Sequence, residues 1–178
     1  MERFRDFVKV SATLARDEFL EQFPHPLMLF SEIPGALDGF HHTRLVDSVE
    51  GTRQIDRFSQ QLLEFVPLLP NPKTNREFPA KAFIGRDARR DFVILHSTVS
   101  KRHACLFYED ELACWRLVDS GSTNGTQARG RTLQPGEPVT LQDGDVITFG
   151  KVDFLFFSPE GAYRFMNQYR MFRDAMRQ

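Results

Sequence analysis

The sequence predicts a mainly β protein, an antiparallel β-sandwich flanked by α-helical segments. Short apolar runs separated by turn residues recur between residues 67 and 158, a pattern that is typical of an all-β sandwich. Both ends of the chain instead place apolar residues at helical spacing among charged ones. The 18 phenylalanines are spread along the whole length, which predicts an aromatic core throughout.

We therefore expect three consecutive parts along the chain. Residues 1–66 form an N-terminal, mostly helical segment of unknown role, residues 67–158 form the sandwich, and residues 159–178 form a C-terminal amphipathic helix. The N-terminal segment is too apolar to be a tail, and a domain of that size buries its surface inefficiently. We expect it to pack on the sandwich or on a partner.

Two helices are predicted in the N-terminal segment. The first covers residues 2–22, where apolar residues fall close to helical spacing, and Pro24 and Pro26 end it. The run Leu27–Phe30 is short and apolar, which suits a strand. The second helix covers residues 53–66, and a proline follows it directly.

Turn residues separate the strands that we predict for the sandwich. The first strand is Phe65–Leu69, and Asp143-Gly144 later in the chain indicates a hairpin between two apolar runs. Every residue from Phe154 to Phe157 is apolar, so we expect both faces of the final strand to be covered. The last three predicted strands are Pro138–Leu141, Val146–Phe149 and Val152–Phe157.

The final helix has a clear start signal. Ser158 suits the N-cap position, Pro159 suits the first helical position, and Glu160 favours the positive end of the helix dipole. We expect its apolar stripe to pack on the sandwich, and the alternative is that the stripe docks on another protein. The stripe consists of Ala162, Phe165, Met166, Tyr169, Phe172 and Met176.

Composition limits the classes of function. The formal charge of −1 gives no global reason to bind nucleic acid, and no apolar run approaches the ~18 residues of a membrane span. The first residues lack the apolar core of a signal peptide, so we expect a cytoplasmic protein whose cysteines are reduced. We also expect no cofactor. If Glu109-Asp110 is a two-residue hairpin loop, Cys105 faces Cys114 as a pair of buried free thiols.

Three short polar clusters follow or precede apolar runs in the middle of the chain. Strand ends joined by polar loops are where a rigid β scaffold presents binding groups. Together the clusters offer a guanidinium, an ammonium, hydroxyls and a side-chain amide, which are donors suited to a phosphate dianion. The clusters are Gly85-Arg86, Ser100-Lys101-Arg102-His103 and Ser122-Thr123-Asn124-Gly125.

At these clusters the sequence resembles the forkhead-associated (FHA) family, small β-sandwich domains that bind phosphothreonine peptides. The pattern Gly-Arg, Ser-x-x-His and Asn-Gly is present in order and at the family's spacing, over roughly Glu64 to Ser158. The resemblance implies a sandwich of about eleven short strands. It also implies a phosphothreonine-peptide binding module that acts as a signalling adaptor or scaffold, and not an enzyme.

The resemblance further implies a role for each site residue. The guanidinium of Arg86 can hold two phosphate oxygens, and the hydroxyl and amide of Ser100 can both donate to phosphate. The implied phosphothreonine-binding residues are Arg86, Ser100, Lys101, Thr123 and Asn124, of which Asn124 reads the ligand backbone. The implied structural supports of the site are Gly85, His103 and Gly125. Thr98 is implied to read a flanking ligand residue, and its neutral side chain argues against an acidic preference there.

Several alternatives remain open at this point. The protein could be an interaction scaffold that works through its N-terminal segment and C-terminal helix, with a vestigial phosphate site. The partner could be a kinase, a kinase substrate, or a second copy phosphorylated at a threonine such as Thr13, Thr43 or Thr74, with self-association through the terminal segments. The basic loop residues could steer an acidic peptide, although solvated loop charge is the favoured account of each one singly: Arg89, Arg90, Arg102, Arg129 and Arg131.

Two kinds of catalytic or metal chemistry have weaker support. Ser100, His103 and Asp119 have the residue types of a catalytic triad, but no nucleophile-elbow pattern surrounds the serine. A zinc site would need spaced Cys and His ligands, and the sequence offers no such set around its candidates His25, His41 and His42. We therefore expect no metal, no nucleic acid partner and no membrane partner.

Overall fold

The computed structural model of the chain describes residues 2–31, 63–68 and 81–175. Its contacts divide the chain into two compact units. The terminal unit contains residues 1–67, 143–145 and 154–178, and the central unit contains residues 68–142 and 146–153. The terminal unit thus combines both ends of the chain, whereas the sequence suggested three consecutive parts.

The described residues contain three helices and twelve strands. The helices are α1 (Phe4–Thr13), α2 (Arg16–Gln22) and α3 (Pro159–Ala175). The strands are β1 (Glu2–Arg3), β2 (Leu27–Ser31), β3 (Leu63–Pro67), β4 (Lys81–Gly85), β5 (Phe92–Val93), β6 (Ala104–Glu109), β7 (Cys114–Asp119), β8 (Thr126–Ala128), β9 (Arg131–Thr132), β10 (Val139–Thr140), β11 (Val146–Phe149) and β12 (Val152–Phe157). No helix in these ranges is long and apolar enough to cross a membrane.

The terminal unit is built on antiparallel strand pairs in the order β1-β3-β2-β12. In this order Phe154 lies opposite Phe30, and Phe157 lies opposite Leu27. All four side chains from Phe154 to Phe157 are between 1 and 3% exposed, so both faces of this strand are covered as predicted. The N-terminal strand β2 therefore completes its sheet with residues from the far end of the chain.

The N-terminal helical predictions need two corrections. The single helix expected over residues 2–22 is two helices, because Ala15 is extended (φ −67°, ψ 162°) and donates its N–H to the Glu18 carboxylate at 2.8 Å. Residues 63–67 form β3, which replaces the end of the second predicted helix and overlaps the first predicted strand, Phe65–Leu69, because pairing with β1 and β2 overrides local helical spacing. Residues 53–62 of that prediction lie outside the described residues.

Helix α3 begins as predicted. The Ser158 hydroxyl accepts the Gly161 N–H at 3.0 Å, which is the N-cap bond expected of serine. The predicted stripe residues Ala162, Phe165, Met166 and Tyr169 are buried, and α3 packs against α1 and α2. The Phe165 ring also stacks on Phe157 of β12 at 4.8 Å between centroids. These four side chains are therefore part of the core of the terminal unit, Phe172 is half-buried, and Met176 lies outside the described residues.

Gly161→Ala is expected to destabilise the protein, although alanine is the better helix former by about 1 kcal/mol. A Cβ at residue 161 would overlap the Asp143 carboxylate, which accepts the Ser158 N–H at 2.7 Å and pairs with Arg164 at 2.9 Å. Relieving the overlap breaks the half-buried bond from the Ser158 N–H, worth about 1.5–3 kcal/mol, and the exposed pair with Arg164, worth up to about 1 kcal/mol, so the clash outweighs the propensity. Thermal unfolding should show a Tm several degrees lower, with the exposed Gln168→Ala as control. An unchanged or higher Tm would contradict this packing.

The central unit contains the β-sandwich. Its five-stranded sheet has the order β10-β7-β6-β4-β5, and β11, β8 and β9 pair antiparallel beside one another in the second sheet. Buried side chains on the two sheets include Ile84, Leu106, Leu117, Ile147 and Phe149. The predicted sandwich is confirmed, with one difference: β4 and β5 are parallel, so the sheet is mixed and not purely antiparallel.

Two predicted turns differ in the structure. The Asp143-Gly144 turn does not close a hairpin, because β10 before it pairs with β7 while β11 after it pairs with β8. The loop between β6 and β7 is longer than two residues, since a 3-10 turn at Asp110–Leu112 is followed by Ala113 in the left-handed conformation (φ 48°).

The longer loop also changes the environment of the cysteines. Cys105 therefore faces Val118, Cys114 faces Glu109, and both thiols are free. Burial raises the pKa of Cys105 to about 11, which keeps this thiol protonated and poorly reactive.

Candidate functional site

The three polar clusters meet at one edge of the five-stranded sheet. Strand β4 ends there at Gly85, β6 begins there at Ala104 and β7 ends there at Asp119. The register places Ile84 opposite Ala104 and Ala104 opposite Asp119. The loops that follow β4, precede β6 and follow β7 consequently leave the sheet side by side. The structure thus brings the predicted site residues together.

Arg86 is held against the second loop by its backbone and by part of its side chain. Its N–H donates to the Ser100 carbonyl at 2.9 Å, and its Nε donates to the Val99 carbonyl at 3.2 Å. The side chain is exposed, and its Nη1 and Nη2 groups have no partner within the described residues. Gly85 permits this approach, because a Cβ there would lie 2.5 Å from the Lys101 carbonyl oxygen.

The hydroxyls of Ser100 and Thr123 lie next to each other. Their oxygens are 3.3 Å apart, and the Thr123 N–H donates to Ser100 Oγ at 3.0 Å. The Ser100 N–H is already donated to His103 Nδ1 at 2.9 Å. The expectation that Ser100 offers a ligand both its hydroxyl and its amide is therefore wrong for the amide. Lys101, the next residue, is exposed and adds an ammonium to the same edge.

His103 connects the second and third loops from inside. Its Nδ1 accepts the Ser100 N–H, so the proton resides on Nε2, which donates to the Gly125 carbonyl at 3.1 Å. The ring is fully buried and meets Phe149 edge to face at 5.7 Å. Burial lowers the pKa of His103, which matches a neutral ring. Because Nδ1 takes the amide and not the hydroxyl of Ser100, these residues form no nucleophile–base pair.

Asp119 organises the third loop, a role that the sequence did not suggest. Its carboxylate is 1% exposed and accepts the N–H groups of Gly121 and Ser122 at 2.9 Å each. It also accepts the hydroxyls of Ser122 at 2.6 Å and Thr126 at 2.5 Å. Burial alone would raise the pKa of Asp119, but these hydrogen bonds outweigh it and hold the pKa below its usual value. The sequence signal for this role was the position of the aspartate, between an apolar strand and a run of turn residues.

Asn124 is fixed by the second loop. Its Nδ2 donates to the Thr98 carbonyl at 2.8 Å, which leaves Oδ1 without a partner in the described ranges. Gly125, the residue after it, has φ +79°, a conformation that favours glycine. Thr98 in turn accepts the Lys151 N–H on Oγ1 at 3.0 Å. The turn between β11 and β12 is therefore a fourth contributor that sequence reasoning missed, because residues 98 and 151 are far apart in the chain.

Three of the five loop arginines are engaged by the protein itself. Arg89 pairs with Asp87 at 2.8 Å, and its hydrogen bonds hold the pKa of Asp87 well below the usual range. Arg90 lies over the Phe83 ring at 6.0 Å from the centroid, and Arg129 donates to the Thr140 carbonyl at 3.3 Å. The other two, Arg102 and Arg131, are exposed. Solvated or internally paired charge thus accounts for most of the basic loop residues.

The structure gives no support for a zinc site at the candidate histidines. Within the ranges that the structure describes, no group of three or more His, Cys, Asp or Glu side chains could hold a metal ion. Burial lowers the pKa of His25, and His41 and His42 lie outside the described residues.

The fold and the loops together are those of a β-sandwich binding module, in which a rigid sheet presents donor-rich loops at one edge. Residues 82–150 match the FHA domain family. The match covers the central part of the chain, and the three described helices lie outside the matched residues.

The similarity to curated proteins is confined to part of each. Protein phosphatase 2C 70 of Arabidopsis thaliana is 32% identical over 88 residues, which cover 45% of this chain and 15% of that protein. The human angiogenic factor with G patch and FHA domains 1 is 36% identical over 87 residues, which cover 46% of this chain and 12% of that protein. Among solved structures, the FHA domain of an A. thaliana hypothetical protein has a TM-score of 0.46 at 20% identity, covering 74% of this chain and 84% of that one.

Proposed function

We propose that this protein binds phosphothreonine peptides through the three loops and acts as a signalling adaptor or scaffold. The observation that carries the proposal is the pair of hydroxyls of Ser100 and Thr123, 3.3 Å apart, beside an arginine whose Nη groups are unengaged by the described residues. A phosphate dianion has several acceptor oxygens, and clustered hydroxyl and guanidinium donors satisfy them with short charge-assisted hydrogen bonds.

Each residue has a distinct part in the proposed complex. Arg86 donates both Nη groups to two phosphate oxygens, while its Nε bond to the second loop keeps the guanidinium in place. Ser100 and Thr123 donate their hydroxyls to a third oxygen, and Lys101 adds a mobile positive charge. The free Oδ1 of Asn124 accepts a backbone N–H of the extended ligand.

Three further residues support the site without touching the ligand. Gly85 lets the first loop approach the second, and Gly125 adopts the positive φ that the third loop needs. His103 joins the second and third loops through its two ring nitrogens.

Phosphopeptide binding makes and breaks no covalent bond, so the chain's own residues need no cofactor for it. The partner would be a phosphothreonine-containing protein, either a kinase substrate or a kinase.

The proposal predicts phosphate-dependent binding in the micromolar range. An oriented library of phosphothreonine peptides, displayed beside the same sequences without phosphate, would be probed with the full chain at neutral pH. We expect a subset of phosphorylated peptides to bind and each unphosphorylated counterpart to fail, because the donors of the loops then meet no dianion. Phosphoserine versions serve as the control for threonine selectivity. Equal binding with and without phosphate would overturn the proposal.

A further inference from the structure

The pair Asn124-Gly125 in the third loop differs chemically from the other asparagine positions of the chain. A glycine has no side chain to shield its backbone nitrogen, so that nitrogen can approach the amide carbon of a preceding asparagine. No other asparagine in the sequence precedes a glycine. The pair is therefore the place in this chain where such an attack meets the least steric hindrance.

The structure leaves both reacting groups of the pair accessible. Asn124 is exposed, and within the described residues its side chain makes one hydrogen bond, from Nδ2 to the Thr98 carbonyl at 2.8 Å. The Gly125 carbonyl accepts the Gly150 N–H at 3.1 Å, but the Gly125 N–H has no partner in the part of the chain that the structure describes. This N–H must lose its proton before the nitrogen can act as a nucleophile, and no hydrogen bond holds the proton in place.

The charges at this edge of the sheet also favour the loss of that proton. Arg86 and Lys101 are exposed on the two neighbouring loops, and nearby positive charge stabilises a nitrogen that has become an anion. The acidic side chain of the same loop, Asp119, is 1% exposed, and its carboxylate is engaged by the N–H groups and hydroxyls that it accepts.

We propose that Asn124 is a site of self-modification, where deamidation converts the residue to an acid and switches phosphopeptide binding off. The Gly125 nitrogen gives its proton to hydroxide and bonds to Cγ of Asn124, while the Cγ–Nδ2 bond breaks. Nδ2 takes a proton from water and leaves as ammonia, so the chain closes into a succinimide ring. Water then opens the ring at either carbonyl carbon, which yields aspartate or isoaspartate without any oxidant or reductant.

Either product would disable the site, a consequence that rests on the proposed function. Aspartate loses the Nδ2 bond to the Thr98 carbonyl and places a carboxylate beside the phosphate dianion. Isoaspartate lengthens the main chain next to Gly125, whose carbonyl accepts His103 Nε2 at 3.1 Å. Because like charges in contact cost several kcal/mol, the modified chain should bind phosphopeptides at least about tenfold more weakly.

The modification is tested on the full chain, kept folded at mildly alkaline pH for several days and then mapped by peptide mass spectrometry. We expect the peptide that contains Asn124 to gain the mass difference between an amide and an acid. Asn167 is the internal control, since it lies within α3 and its Nδ2 is donated to the Tyr163 carbonyl at 3.1 Å. Asn124→Gln should stay unmodified, because glutamine must close a larger ring that forms more slowly. An unmodified Asn124, or equal conversion at Asn167, overturns the proposal.

The switch is tested by separating the modified and unmodified fractions of one incubation by ion exchange. Fluorescence anisotropy with a library-selected phosphothreonine peptide should show the loss of affinity in the modified fraction, and fresh Asn124→Asp should show a similar loss. Equal affinity of the two fractions overturns the switch. If neither fraction nor the fresh wild type binds in a phosphate-dependent way, the proposed function fails, and the mass map alone decides whether Asn124 is a modification site.

Discussion

Replacing Arg86 with alanine is expected to abolish measurable phosphopeptide binding while the fold stays intact. Truncating one partner of a desolvated, hydrogen-bonded charge pair costs about 2–5 kcal/mol, which is an affinity loss of at least about thirtyfold. From a micromolar starting affinity, such a loss moves binding out of range for most titrations. The side chain is exposed, so its removal exposes no core and leaves only the Val99 carbonyl without its Nε partner.

Two further variants make this result specific to the guanidinium. Arg86→Lys keeps the charge but cannot hold two oxygens in a fork, so we expect an affinity between those of the wild type and the alanine variant. Arg102→Ala removes an exposed charge from the same edge and should change affinity less than about threefold. Fluorescence anisotropy with a library-selected peptide measures all three. Equal losses in Arg86→Ala and Arg102→Ala would contradict the role of Arg86.

Replacing His103 with alanine is expected to destabilise the protein strongly. The substitution leaves the half-buried Ser100 N–H and Gly125 carbonyl without partners and opens a cavity beside Phe149. Each orphaned polar group costs about 1–3 kcal/mol, so the two together lower the free energy of unfolding by about 2–6 kcal/mol. Chemical denaturation measures it, and the exposed Arg102→Ala serves as the control. A His103→Ala variant as stable as the wild type would show that the ring does not support the loops.

The pH dependence of stability gives His103 a second readout. Because burial lowers the pKa of His103 in the folded chain, the unfolded chain takes up the proton first, near pH 6.5. This contribution to stability is fully present above that pH and is lost as the pH falls through the lower pKa of the folded state. The slope of unfolding free energy against pH below 6.5 should therefore decrease in His103→Ala. It should not vanish, since burial lowers the pKa of His25 in the same direction.

The parts of the molecule that the sequence predicted are those decided locally. Strands β11 and β12 have the predicted bounds, and Ser158 caps α3, because turn residues and cap residues act within a few positions. The convergence of the loops followed from polar clusters placed at the ends of adjacent strands. Local patterns of this kind are enough to place the site at one edge of a sheet.

The parts that the sequence did not predict depend on distant partners. Residues 63–66 of β3 were assigned to a helix, although a strand was also predicted from Phe65, because the pairing of β3 with β2 is tertiary. The contact of Lys151 with Thr98 joins residues that lie far apart in the chain. The loop between β6 and β7 was predicted too short because Ala113 adopts a positive φ that a non-glycine residue rarely shows. The same limit applies to the terminal unit, where β2 completes a sheet with residues more than a hundred positions away.

The terminal unit contains segments from both ends of the chain, and this decides how the alternative role as a scaffold can be tested. An isolated fragment of residues 1–66 would lack the β12 residues that pair with β2 and the α3 side chains that pack on α1 and α2. Leu27, Met28 and Leu29 are at most 1% exposed in the whole chain, so such a fragment would expose a core strand to water. A search for partners of the terminal unit should therefore use the full chain. Carrying out the search with Arg86→Ala excludes partners that bind through the phosphopeptide site.

The most direct test of the three-loop site is a nuclear magnetic resonance titration of the labelled full chain with a phosphothreonine peptide and its unphosphorylated twin. We predict that only the phosphorylated peptide shifts the backbone amide signals of Arg86, Ser100, Lys101, Thr123 and Asn124, and that these shifts saturate together with one dissociation constant. Shifts confined to the terminal unit, or the same shifts with both peptides, would contradict the binding of a phosphate dianion by these loops.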